Sequence, residues 1–304
     1  MKMSKRAFLK TTGATVAAGM LGQWSAAQQA APAPQTQPQT PAAPPAPPPE
    51  PLHNWAGNIT YSTTSVEMPA TMDEVCEAVK TATKLRAVGS RHSFNTIADS
   101  TVELFSVKQI KDIAIDTKAE TVTVGGGVSY GQLALVLDSK GYALHNLASL
   151  PHISVAGAIA TATHGSGLNN GNLATAVTGL EIVTAEGKIA QLTREKDGDA
   201  FLGAVVGLGA LGVVTHVTLK LQPSYDVAQA VYLNLPFDVL EHNFDKVFGA
   251  GYSVSLFTDW QNHRATQMWL KHRLRPDEQN VWNGDFMGAP MATENVHPIT
   301  GHSA

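Results

Sequence analysis

The chain has 304 residues, a net charge of −4 and one cysteine, with basic and acidic residues interspersed along it. That length allows two ordinary domains. No basic stripe argues for nucleic acid and no charge block for an anionic membrane. The single cysteine, Cys76, excludes an internal disulfide framework and a zinc site built on thiolates.

Residues 1–27 read as an export signal. Ser4-Lys5-Arg6-Ala7-Phe8-Leu9-Lys10 precedes a mildly apolar stretch, Thr15 to Leu21, and Ser25-Ala26-Ala27 offers a small-residue cleavage site. The segment resembles a twin-arginine signal in which Lys5 takes the first arginine position, and implies an exported, periplasmic or extracellular protein. Its apolar run is shorter than the ~20 residues that span a bilayer, so no membrane span is expected. Residues 28–52 are Gln, Ala, Thr and Pro almost throughout. Proline fixes φ and removes donors, so an extended tether is expected there. Globular sequence begins near His53.

The first globular element is a helix over Thr71–Ala82, where Thr71 and Glu74 form a capping box and Val75, Val79 and Ala82 share one face. Cys76 falls inside it and reads as a helix residue rather than a nucleophile. A strand at Leu85–Val88 stops at Gly89, whose missing Cβ lets the backbone approach a ligand closely. Ser90 to Phe94 then offer N–H groups that no strand ladder satisfies, a nest for anionic oxygens. An ordinary turn carrying a surface histidine, His92, is the alternative. Short strands follow at Val102–Phe105 and Glu120–Val124, the second broken by Gly125-Gly126-Gly127. Ser129 and Gln132 make another capping box, for a helix that turns Leu133, Val136 and Leu137 inward and ends at Gly141.

Residues 147–167 are dominated by small side chains, with no helical period and no strict alternation. A core would want bulkier groups, so backbone laid against something flat and rigid is expected, with Ser and Thr hydroxyls as partners. Strands at Leu180–Thr184, closed by an Ala-Glu-Gly-Lys turn, and at Val213–Leu221 give an α+β mixture. Gly207-Leu208-Gly209-Ala210-Leu211-Gly212 satisfies GxGxxG, yet a β-branched, alternating run follows where that fingerprint needs a helix. A glycine turn entering a strand near Val214 is expected instead. From Tyr225 the texture changes: Val231–Leu233, Ser253–Asp259 and Gln267–Lys271 look like antiparallel strands, and Pro236–Phe248 like a helix. His145, His152 and His164 have no ligand spacing and no Asp, Glu or Cys close by, so they read as loop histidines and no metal site is expected.

Three segments together resemble the PCMH-type FAD-binding domain of the vanillyl-alcohol oxidase family, nearest its alditol (xylitol) and sugar-lactone oxidases. They are Gly89-Ser90-Arg91-His92-Ser93-Phe94-Asn95, Ser149-Leu150-Pro151-His152-Ile153-Ser154-Val155-Ala156-Gly157 and Thr161-Ala162-Thr163-His164-Gly165-Ser166-Gly167. The patch from Gly207 to Leu219 also fits. The resemblance implies an α+β chain with a two-subdomain FAD-binding domain over 53–224 and, over 225–304, a partial substrate domain with an antiparallel sheet. It implies FAD as cofactor, in contact with Gly89, Ser90, Arg91, His92, Ser93, Phe94, Ser149, Ser154, Gly157, Thr161, Thr163, His164, Gly212 and Val214.

By the same resemblance His92 attaches FAD covalently. A neutral imidazole nitrogen held in line can bond the 8α carbon of the ring; a non-covalent contact is the alternative. No second, cysteinyl link is expected, since Cys76 lies in a helix. The implied reaction moves a hydride from a CH–OH carbon of a sugar alcohol to flavin N5, with O₂ or another acceptor taking the electrons. A sugar-lactone oxidase or dehydrogenase, and a non-catalytic FAD-binding fragment, are the alternatives. Twin-arginine export, which carries folded proteins, suits such a passenger. The family's catalytic groups are expected beyond residue 304, so none is named and the chain is expected to be a fragment.

Overall fold

A computed structural model describes residues 50–275, 277–278, 282 and 284–298. The expected export signal, most of the expected tether and the last six positions lie outside them.

A small lobe comes first. β1 (Val66–Glu67) and β2 (Leu85–Ala87) each pair in parallel with β3 (Glu103–Phe105). Between β1 and β2 runs α1 (Met72–Thr81), opened by the expected capping box of Thr71 and Glu74. Val75 and Val79 pack with Phe105 of the same lobe and with Val183 and Val213 of the next, so α1 sits on the seam between them. Ala82, expected on that face, is the C-cap instead.

The second lobe runs β4 (Ile113–Asp116), β5 (Thr121–Gly125), α2 (Tyr130–Asp138), β6 (Tyr142–Ala143), α3 (Val155–Ala160), β7 (Val177–Val183), β8 (Ile189–Thr193), α4 (Arg194–Val205), β9 (Val213–Lys220) and β10 (Gln222–Pro223). Five strands form an antiparallel sheet ordered β4-β5-β9-β7-β8. Along β9, Val213, Thr215, Val217 and Leu219 are buried and alternate with less buried residues, the period-2 pattern of a strand with one face on a core. Leu133 and Leu137 of α2, Val155 and Ile159 of α3 and Phe201 of α4 close over that core. The expected Ser129–Gln132 capping box is present, and β9 follows the GxGxxG turn as expected.

The lobe departs from the sequence expectation at α3, α4, β4 and β8. Val155–Ala160 is a helix: Val155 and Ile159, one turn apart, are its two bulky side chains, too few to mark a period in a segment with no polar face. α4 was not expected either, because Gly198 (φ 49°) kinks it. Strands β4 and β8 also went unread, being short and half exposed.

The last part holds β11 (Val227–Pro236), α5 (Phe237–His242), α6 (Phe244–Phe248), β12 (Ser253–Phe257) and β13 (Arg264–Arg273), with a separate core of Tyr232, Leu235, Val254, Met268 and Leu270. Its sheet is antiparallel, ordered β11-β13-β12. The single helix expected over Pro236–Phe248 is two helices. They part at Asn243 (φ −130°, ψ 27°), whose side chain donates to Val239 O at 2.9 Å and so competes with the helical backbone. Tyrosines join this part to the second lobe. Tyr225 OH donates to Leu144 O (3.1 Å) and contacts Tyr252 OH (3.0 Å), while Arg273 lies 3.7 Å over the Tyr225 ring.

Candidate cofactor-binding site

The loop after β2 takes its shape from the turn at 53–60. Val88 N–H donates to Phe105 O at 2.8 Å, the last bond of β2 to β3. Beyond it the Arg91 carbonyl accepts from Trp55 N–H (2.8 Å), and the Ser93 carbonyl accepts from the buried side chain of Asn54 (3.0 Å). Arg91 has φ 62°, and its Nη1 donates to His53 O at 3.0 Å. The carbonyls are thus engaged from the N-terminal side. Among the described residues, no backbone N–H of residues 89–94 meets a protein acceptor. Those amides are free to meet a ligand's anionic oxygens.

α3 forms the facing wall. Ser154 N–H donates to Ser90 Oγ at 3.2 Å, while Ser154 Oγ is buried without a partner. Gly89 and Gly157 leave that oxygen room. A Cβ would stand 2.5 Å from it on Gly89 and 2.7 Å on Gly157. Thr161 Oγ1 donates to Gly157 O (3.2 Å) and contacts Thr163 Oγ1 (3.4 Å).

Between the walls lies a groove of about 1060 Å³, at the upper end of the roughly 300–1,000 Å³ usual for ligand sites. Of the residues expected to touch a flavin, 89–94, Ser154, Gly157, Thr161, Thr163, Gly212 and Val214 line it. Ser149 and His164 do not; both are exposed, and His164 Nδ1 lies 2.8 Å from Gly165 O. The charged residues of the lining are Arg86, Arg91, Lys108 and Lys111, with no carboxylate among them. In a chain of net charge −4, that is a local field made for an anion.

His92 sits in this lining. Its Nε2 lies 2.7 Å from His152 Nε2, and its ring stacks on Trp55 with centroids 4.6 Å apart and planes at 27°. Its Nδ1 is buried with no partner. Burial first, and the neighbouring His152 second, hold this imidazole below the usual histidine range, which favours the neutral ring. Sequence alone reads His152 as one of three loop histidines and offers no signal for Trp55, Lys108 or Lys111. His145 contacts Gly171 O (3.3 Å), so the three histidines do not converge.

A cleft between a parallel βαβ lobe and an antiparallel sheet, lined by free amides and cations, defines a protein that holds a phosphate-bearing cofactor. Residues 64–193 match the family model described as "FAD binding domain". This part of the chain is a PCMH-type FAD-binding domain of that family. The chain is 46% identical over 255 residues to an alditol oxidase of a Streptomyces species, covering 83% of this chain and 59% of that protein. It is 34% identical over 179 residues to an L-gulono-1,4-lactone dehydrogenase of Mycobacterium tuberculosis, covering 57% and 41%. Against the L-gulonolactone oxidase of Bos taurus it is 30% identical over 194 residues, covering 62% and 44%. The chain thus spans about six-tenths or less of the length of these relatives.

The residues present fit FAD. Free amides at 89–94 and the Ser154 hydroxyl supply donors for pyrophosphate and ribityl oxygens, and the groove's cations balance the phosphates. His92 belongs to the same lining, with its Nδ1 buried and unpartnered.

Proposed function

We propose that the protein is an exported FAD-dependent oxidoreductase that oxidises a CH–OH group of a sugar alcohol, with the cofactor covalently attached through His92. The observation that carries the cofactor reading is the acid-free groove whose 89–94 amides have no protein acceptor. Similarity to an alditol oxidase over 83% of this chain supports the substrate class. The residues that line the groove hold the cofactor, and the part beyond Tyr225 belongs to the substrate domain.

Bound in this groove, FAD would supply a two-electron acceptor for oxidation of the CH–OH carbon, and O₂ is the acceptor we assign for reoxidation. The chain's own residues bind and orient. Loop 89–94 would donate to phosphate oxygens, α3 would close the opposite side, and His92 would bring its imidazole to the cofactor from the same lining. Export through a twin-arginine signal accords with a protein that acquires its cofactor before crossing the membrane.

The test is the absorption spectrum of the purified protein, followed by acid precipitation and oxygen uptake with xylitol, sorbitol and a sugar lactone. A yellow protein whose flavin stays in the pellet and whose oxygen uptake follows a polyol is the expected result. Uptake with the lactone alone favours a lactone oxidase, which the similarity to the lactone enzymes keeps as the second reading. A colourless protein that takes up no FAD overturns the proposal.

A further inference from the structure

We infer that His152 is the positioning residue for covalent attachment, fixing the His92 tautomer and receiving the proton that His92 loses. The inference rests on the covalent reading above. Two imidazole nitrogens 2.7 Å apart must share one proton: one ring donates and the other accepts. If His152 donated, the proton of neutral His92 would sit on Nδ1, as a buried N–H with no acceptor. Orphaned buried donors are rarer in folded proteins than under-used acceptors. His92 therefore donates from Nε2 to His152, and its Nδ1 keeps a lone pair.

The surroundings reinforce this arrangement. Trp55 stacks on the His92 ring, and the Trp55 backbone N–H holds the Arg91 carbonyl one residue away. His152 is itself exposed, so a proton delivered to it reaches water. As the bond from His92 Nδ1 to the 8α carbon forms, a C–H bond of that methyl breaks and its proton leaves. The Nε2 proton of His92 passes to His152 and on to solvent. The two electrons released go to dioxygen, which with two protons becomes hydrogen peroxide. Nothing in this balance needs another residue to be charged.

The experiment loads the full chain, prepared free of flavin, with FAD and follows two quantities. One is reversible affinity from flavin fluorescence; the other is the fraction of flavin retained after acid precipitation over time. His152→Ala is expected to bind FAD with near-native affinity yet to label about tenfold or more slowly, with free imidazole restoring part of the rate. His152→Gln, which can accept from His92 Nε2 but not relay a proton, is expected to fall between the two. Labelling of His152→Ala at the native rate overturns the inference and leaves the covalent reading standing. A parallel loss of affinity and labelling that imidazole does not rescue also overturns it, in favour of a structural role. Native protein that binds FAD but releases all of it in acid overturns the covalent reading itself, and the inference with it.

Discussion

His216 Nδ1 lies 2.7 Å from Glu181 Oε1, across the antiparallel pairing of β9 with β7. The same oxygen accepts from buried Thr215 Oγ1 at 2.8 Å, and Gln191 donates to Oε2 at 3.2 Å. On its other side His216 Nε2 reaches Asp112 at 3.2 Å, so one imidazole joins two carboxylates across the sheet. Burial on its own would raise the Glu181 pKa, but the hydrogen bonds from Thr215, His216 and Gln191 together outweigh it and hold the group below the usual range.

A depressed folded pKa contributes stability above the unfolded value, 4.5, and loses it as pH falls through the folded value. The melting temperature should therefore fall as pH drops below that point, and Glu181→Gln should flatten part of the decline. At neutral pH the same substitution should cost about 1–3 kcal/mol, because Thr215 is left with a weakened partner. Thermal melts of both proteins from pH 7 to pH 3 check this; parallel curves would refute it.

Gly89→Ala places a methyl against Ser154 Oγ in the groove wall. Either Ser154 rotates or the loop shifts, and both disturb the cradle. FAD affinity should drop about tenfold, equivalent to roughly 1.4 kcal/mol, while the melting temperature of flavin-free protein changes little. Fluorescence titration and a melt separate the two effects.

Lys108 and Lys111 are exposed at the groove and make no ion pair among the described residues. Reversing both to Glu should slow FAD association about tenfold at low ionic strength and weaken its dependence on salt. Stopped-flow mixing at several salt concentrations measures this. An unchanged association rate would remove these lysines from the account.

Phe201 is fully buried in the main core, with Arg194 stacked 5.4 Å over its ring. Phe201→Ala should cost about 3–5 kcal/mol in chemical denaturation. Thr71→Ala, which removes only the α1 cap, should cost about 1 kcal/mol. The ranking, rather than either value alone, tests whether α4 belongs to the core.

Legibility in the sequence followed the range of the interactions involved. α1 and α2 could be read because their capping boxes join residues three apart, Thr71 with Glu74 and Ser129 with Gln132. β9 could be read because β-branched residues alternate along it. α3 could not, since Val-Ala-Gly-Ala-Ile-Ala has no polar face to contrast with an apolar one. The break at Asn243 depends on one side chain's choice of acceptor, which no periodicity reveals.

The order of residues in this chain, unaided, determined the loop at 89–94, the glycines beside it, the histidine within it and the α+β class. Each depends on neighbours along the backbone or on what a side chain lacks. Only the tertiary structure decided that His152 meets His92 from 60 residues away, that Trp55 covers the same ring, and that four cations and no carboxylate line one groove. Those relationships exist because two lobes close on each other. Contacts between distant segments are set by packing of the whole core, and local propensity carries no record of them.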